Sequence, residues 1–166
     1  MPETALLASY TRNGAFTDCY ATEISGAVPH AQYVQAFYTT WVFKLERLIL
    51  RWAVGRPSTD DQARQLAEGA IDSFAAWHVE GRSENQLLLS DFQGRTRSWL
   101  MVAPVISGND VRTRLYFGSA VVPVKDARTR ASSLGFVFSA LMGFHKLYSH
   151  VLLHAAKSRL MALRLD

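Results

Sequence analysis

The last third of the chain constrains its fold most strongly, because four β-like runs are followed there by a long apolar helix. The residue pattern predicts strands over 74–81, 86–92, 97–105 and 112–122, and a helix over about 132–163. The separators are short and rich in turn formers, so the strands are expected to pair as an antiparallel meander. A helix this apolar must be covered, and the preceding strands are the available cover. We therefore predict an α+β fold with an antiparallel β-sheet curved around a long C-terminal helix.

The residue pattern of the N-terminal part predicts a pair of helices that precedes this sheet in the sequence. The expected elements are a loose tail or loop over 1–15, a strand over 18–24 and helices over 29–53 and 59–68. A β-branched and aromatic run at 38–41 leaves open a break in the first helix. Ser58 is the expected N-cap of the second. At 166 residues the chain is expected to form a single domain over 1–166.

Composition excludes several classes of protein. Apolar residues make up 49% and charged residues 19% of the chain, which argues against disorder. The single Cys19 excludes an internal disulfide and a cysteine-based zinc site, and we interpret it as a small apolar strand residue. The apolar stretch 134–153 contains His145, Lys146 and His150, so no membrane span is predicted. No signal peptide is recognised at the N-terminus, and a cytoplasmic location is expected.

The turns at Gln93-Gly94 and Gly108-Asn109 determine which strand residues share a face of the sheet. The more apolar face is assigned to the core, and it carries Leu87, Leu89, Leu100, Val102, Leu115, Phe117 and Val121. Asp91, Ser98 and Ser119 interrupt this face. A three-residue loop between the strands over 74–81 and 86–92 would place Trp77 and Val79 on this face as well. The opposite face carries Ser90, Arg97, Trp99, Met101, Arg114 and Tyr116.

The order of a strand, a helical pair, antiparallel strands and a long C-terminal helix resembles the helix-grip fold of the START-like (SRPBCC) superfamily. The run Phe144-His145-Lys146-Leu147-Tyr148 also looks like the Phe-His-x-Leu stretch in the last helix of an uncharacterised bacterial family of that superfamily. Members commonly hold apolar ligands between sheet and helix, and a minority are enzymes such as cyclases. The resemblance implies no catalytic residues.

The leading interpretation is a pocket for a small apolar or lipid-like ligand between the sheet and the last helix. The residues expected to line it are Trp77, Leu89, Phe117, Phe138, Leu141, His145 and Tyr148. His145 and Tyr148 could orient the ligand, or they could be a hydrogen-bonded core histidine and an ordinary buried tyrosine. A small cyclase or hydrolase in the same pocket would need Asp91 or His145 as its acid or base.

Arginines on the opposite face give the second interpretation, a binding module for an acidic partner or single-stranded nucleic acid. Arg95, Arg97, Arg112 and Arg114 are expected to crowd adjacent strands there. The alternative is a solvated outer face, and a net charge of +4 is mild enough that a nucleic-acid partner is not favoured.

His150 and His154 share a helix face but have no third ligand, so no metal site is predicted. No cofactor motif is present, and a homodimer is left open.

Overall fold

The structure, a computed structural model, describes residues 1–45, 47, 58–108, 110–122 and 134–163, and over 134–147 it describes the backbone alone. The labelled helices are α1 (Ala8–Arg12), α2 (His30–Tyr38), α3 (Asp60–Glu68) and α4 (Leu134–Ala162). The strands are β1 (Phe16–Ser25), β2 (Ser73–Phe74), β3 (Trp77–Ser83), β4 (Gln86–Asp91), β5 (Thr96–Ser107) and β6 (Asp110–Val121).

The six described strands form one antiparallel sheet in the order β1-β6-β5-β4-β3-β2. The predicted register is confirmed, since Leu89 lies opposite Ser98 and Leu100 lies opposite Phe117. From β2 to β6, consecutive strands are joined by connections of two to four residues, and such short connections leave few alternative pairings. The fold is therefore α+β and helix-grip-like, as predicted: an antiparallel sheet, a long C-terminal helix and short N-terminal helices.

The strand predicted over 74–81 is wrong as a single element, because a tight turn divides it into β2 and β3. Ala75 adopts a left-handed backbone with φ of 52° at this turn. A bulge at Glu80 then shifts the pairing of β3 with β4 between Val79 and Gly81. Trp77 and Val79 pack against the core cluster through this bulge, and not through the three-residue loop considered above.

The helix predicted over 29–53 is interrupted where the sequence left a break open. Helix α2 ends at Tyr38, and residues 41–45 are helical again. The hydroxyl of Thr40 donates to the Phe37 carbonyl at 2.9 Å and accepts from the Phe43 amide at 3.2 Å, so it satisfies backbone groups on both sides of the break. Residues 46 and 48–57 of the predicted helix lie outside the described residues.

The N-cap of α3 is Thr59, and the expectation of Ser58 is wrong by one residue. The Thr59 hydroxyl accepts from the Gln62 amide at 3.2 Å, while the Gln62 side chain accepts from the Thr59 amide at 3.0 Å. This reciprocal pair is a capping box, which satisfies two backbone donors that the helix itself leaves free.

The main core lies between the predicted core face of the sheet and the helices. It contains Leu87, Leu89, Leu100, Val102, Leu115 and Phe117, which confirms the assignment of these six residues to the core face. Helix α2 supplies large rings to it, and the rings of Phe37 and Phe117 lie 4.9 Å apart. Val121, at the end of β6, is half-buried.

The N-terminal segment 1–12 covers the second face of the sheet, so the expectation of a loose tail or loop is wrong. Leu7 is fully buried in a second cluster together with Trp99. Gly118 makes this packing possible, because a Cβ atom built on it would lie 2.8 Å from the nearest methyl carbon of Leu7. The Gln86 side-chain oxygen accepts from the Trp99 indole at 3.0 Å and from the Leu6 amide at 2.9 Å. The second face is thus a packed layer.

Helix α4 faces the core with Ser149, Leu152, Leu153, Ala156 and Leu160, which are buried. Tyr148, which is predicted to line the pocket, is half-buried. The side chains of α4 that precede residue 148 lie outside the described residues. Among the described helices, none is long and apolar enough to cross a membrane.

Candidate functional site

A cavity of about 560 Å³ opens between one end of the sheet and the helices. Its walls come from α2, the helical residues 41–45, β3, β5, β6 and α4. The described lining residues are Phe37, Trp41, Val42, Phe43, Leu45, Trp77, Thr96, Arg97, Ser98, Phe117, Ser119, Ala120, Val121, Tyr148 and Leu152. The volume lies within the range of about 300–1,000 Å³ typical of small-molecule sites, and most of the lining is apolar.

The structure brings three of the seven predicted ligand residues to this cavity: Trp77, Phe117 and Tyr148. Leu89 is fully buried in the core and does not belong to the cavity wall. The side chains of Phe138, Leu141 and His145 lie outside the described residues, although α4 runs through all three positions. The role of these residues in ligand binding stays a prediction.

A polar network lies at one end of the cavity. Ser98 and Ser119 face each other across β5 and β6 and are both buried. The Ser119 hydroxyl donates to Asp18 Oδ1 at 2.6 Å, and Ser119 and Asp18 are cross-strand partners. The hydroxyls of Ser98 and Tyr38 lie 3.3 Å apart. Hydroxyl groups in an apolar enclosure can fix the orientation of a ligand by hydrogen bonding.

Trp77 forms part of the cavity wall. Its indole Nε1 atom is buried and has no hydrogen-bond acceptor among the described residues. Trp77 lies directly opposite Asp91 on the neighbouring strand. Asp91 Oδ1 accepts from the backbone amides of Arg95 and Thr96, at 2.6 and 3.0 Å, and so holds the β4–β5 turn. These bonds explain why a carboxylate interrupts the apolar face, and they give Asp91 a structural role.

Several lining residues were not predicted as site residues. Trp41 and Leu45 follow Phe37 at helical spacing, and both are exposed, at 70% and 53%. Ser98 and Ser119 were recognised only as polar interruptions of the core face. Their position opposite each other in the predicted register was the signal that could have indicated a polar site.

The four arginines do not form one basic surface, so the expectation that they crowd together is wrong. Arg97 lies opposite Ala120, whereas Arg114 lies opposite Ala103, six residues along β5 and therefore about 20 Å away. Arg95 lies in the β4–β5 turn and is exposed. Arg112 bonds to Asp110 at 2.7 Å.

Arg97 is part of the layer that holds the N-terminal segment. Its guanidinium lies 4.8 Å from the centre of the Tyr10 ring, and its Nε donates to the Tyr10 hydroxyl at 2.7 Å. It also forms an ion pair with Glu80, and its side chain is only 12% exposed. Arg114, at the other end of the face, is paired with Glu23 at 2.7 Å. Trp99, expected on an open basic face, is fully buried.

A separate, open groove of about 750 Å³ runs between Trp41 and α4. His150 and His154 line it, and the ring of His150 packs edge-on against Tyr20 at 4.4 Å. Within the described part of the chain, no group of three histidine, cysteine or acidic residues is arranged to hold a metal. Burial raises the pKa of the Cys19 thiol, which disfavours the reactive thiolate at neutral pH.

Comparison with solved structures finds chains of similar size but low similarity. TTHA0849 from Thermus thermophilus aligns with 89% of this chain and 99% of its own, at 10% identity and a TM-score of 0.34. An uncharacterised protein from Rhizobium leguminosarum aligns with 87% and 97%, at 9% identity and a TM-score of 0.29. Ara h 8.0201 aligns with 89% and 99%, at 7% identity and a TM-score of 0.29.

No family model matches the sequence, and no curated protein matches it significantly. TM-scores below 0.5 do not establish a shared fold, so the function has to be argued from the geometry of the chain itself.

Proposed function

We propose that this protein binds a small apolar ligand in the cavity between the sheet, α2 and α4. The observation that carries the proposal is the cavity itself: about 560 Å³, with walls of Phe37, Val42, Phe117 and Leu152 and a polar end. Burial of an apolar ligand in such an enclosure is favourable by roughly 25 cal/mol for each Å² removed from water. The element order, which resembles that of START-like proteins, supports the same proposal.

The two other functions considered from the sequence lack a supporting observation. A basic, aromatic sheet face for acidic partners requires Trp99 and Arg97 to be accessible, and both are packed beneath the N-terminal segment. A hydrolase or cyclase would need Asp91 or His145 as its acid or base; Asp91 is bonded to the turn that follows it, and the His145 side chain lies outside the described residues. Ligand binding is therefore the function that the described geometry favours.

Titration with the neutral fluorescent probe N-phenyl-1-naphthylamine tests the proposal. The wild-type protein should bind the probe saturably. Val121→Trp places a large ring in the cavity wall and should weaken probe binding at least tenfold, because filling empty space avoids much of the strain of overpacking a solid core. Val111→Trp is the matched control, since Val111 lies on the same strand but is exposed and outside the cavity.

The control variant should bind the probe like the wild type. Absence of saturable binding to the wild-type protein would contradict the proposal. Equal probe affinity in Val121→Trp and wild type would show that the probe binds elsewhere.

A further inference from the structure

The open groove beside the cavity has a cationic end. Arg159 lines this groove and is exposed, and no acidic residue belongs to its described lining. Arg159 forms no ion pair with a carboxylate of the described residues, whereas Arg97 and Arg114 are paired. The exposed imidazoles of His150 and His154 also line the groove and carry hydrogen-bond donors. The groove therefore favours an anionic group over a cationic one.

Trp41 connects this groove to the apolar cavity. It lines both spaces and is 70% exposed, so the two adjoin at its ring. Leu45 on the cavity side and Val151 on the groove side are exposed as well. Exposed apolar surface that is rimmed by polar side chains is typical of ligand-binding grooves. An elongated ligand that lies across the Trp41 ring occupies both spaces.

Helix α4 gives the direction of such a ligand. Tyr148 and Leu152 line the cavity, whereas Ala155 and Arg159 line the groove. Successive members of this series are three or four residues apart, so all four lie along one face of the helix. Arg159 follows Leu152 by two helical turns, about 10 Å along the axis. A ligand whose chain packs against Leu152 thus reaches Arg159 without leaving this face.

We propose that the ligand is an anionic amphiphile, whose apolar chain occupies the cavity and whose headgroup, such as a carboxylate, lies in the groove against Arg159. The guanidinium supplies the opposite charge, and His154 and Ser158 supply neutral donors beside it. This inference rests on the proposed function, and it adds the charge of the ligand and the residue that recognises the headgroup.

The test compares decanoate and 1-decanol as competitors that displace N-phenyl-1-naphthylamine at neutral pH and low salt, because the two share one alkyl chain and differ in charge. Arg159→Gln should weaken decanoate binding about fivefold, the upper range for one exposed ion pair. Arg159→Glu adds repulsion and should weaken it more than about tenfold. The affinity of both variants for 1-decanol should stay within about twofold of the wild-type value.

Lys157→Gln and Lys157→Glu are the matched controls. Lys157 lies on the same helix as Arg159 but does not line the groove, so these variants change the net charge equally. They should leave the affinity for decanoate within about twofold of the wild-type value. Acetate carries the same headgroup without the chain, and it should not displace the probe at concentrations at which decanoate does.

Three results would overturn the inference while probe binding persists. These are an equal loss of decanoate and 1-decanol binding in Arg159→Glu, an equal loss of decanoate binding in Arg159→Glu and Lys157→Glu, or displacement by acetate as effective as by decanoate. If the Arg159 variants do not fold, the wild type still decides, because about 0.5 M sodium chloride should weaken decanoate relative to 1-decanol. A wild-type protein that does not bind the probe would instead refute the proposed function.

Discussion

Truncation of Leu7 tests whether the N-terminal segment is an integral part of the fold. Leu7 is fully buried against the second face of the sheet, where Gly118 leaves room for its side chain. Replacement of a buried leucine by alanine costs about 2–5 kcal/mol, with the lower values where neighbours can close the space. We expect Leu7→Ala to lower the free energy of unfolding by about 2–3 kcal/mol, the lower part of this range.

Urea unfolding followed by tryptophan fluorescence measures this change, since Trp99 packs in the same cluster as Leu7. For a slope of about 2 kcal/mol per molar urea, the midpoint should fall by about 1–1.5 M. Leu6→Ala is the matched control, because Leu6 is half-buried and should cost about 1 kcal/mol or less. If both variants unfold within about 0.5 kcal/mol of the wild type, the segment is not packed on the sheet and the reasoning fails.

Three further predictions concern polar residues. Gln86→Ala should lower the free energy of unfolding by about 2–3 kcal/mol, measured in urea, because it leaves buried donors without partners. Arg97→Gln should cost about 1–2 kcal/mol, whereas Arg112→Gln, at a side chain 49% exposed, should stay within about 0.5 kcal/mol. Burial lowers the pKa of His30 from 6.5 to about 4, so the neutral form is favoured in the fold. Stability should therefore be full above pH 6.5 and decline by up to about 3 kcal/mol as the pH falls towards 4. This decline should be smaller in His30→Asn and should persist in the exposed control His78→Asn. The same dependence of stability on pH in His30→Asn and in the wild type would contradict the prediction.

The strand meander and its register could be predicted from the sequence because both depend on local signals. Turn-forming pairs such as Gln93-Gly94 lie between runs that alternate apolar and polar residues, and a short turn leaves few alternative pairings. The pairing of Leu89 with Ser98 and of Leu100 with Phe117 follows directly from them. The β2–β3 hairpin was missed because its turn consists of two alanines, which carry no turn signal.

Only the tertiary structure decided what covers the second face of the sheet. Helix α1 spans five residues, Ala8–Arg12, too few for an apolar period to be recognised. The burial of Leu7 depends on Gly118, more than a hundred residues away, and no local pattern connects the two.

Some residues of the candidate site could be predicted from the sequence, and others are revealed only by the tertiary structure. Phe117 and Tyr148 line the cavity and lie on apolar faces that the sequence indicates, whereas Trp77 reaches the cavity through the bulge at Glu80, for which the sequence gives no signal. The polar character of the cavity could not be predicted, because it depends on which hydrogen bonds form between distant strands. Asp91 is bonded to the turn that follows it, and the Trp77 indole on the opposite strand has no acceptor among the described residues. Hydrogen-bond satisfaction is a property of the assembled structure, so a local sequence pattern does not indicate it.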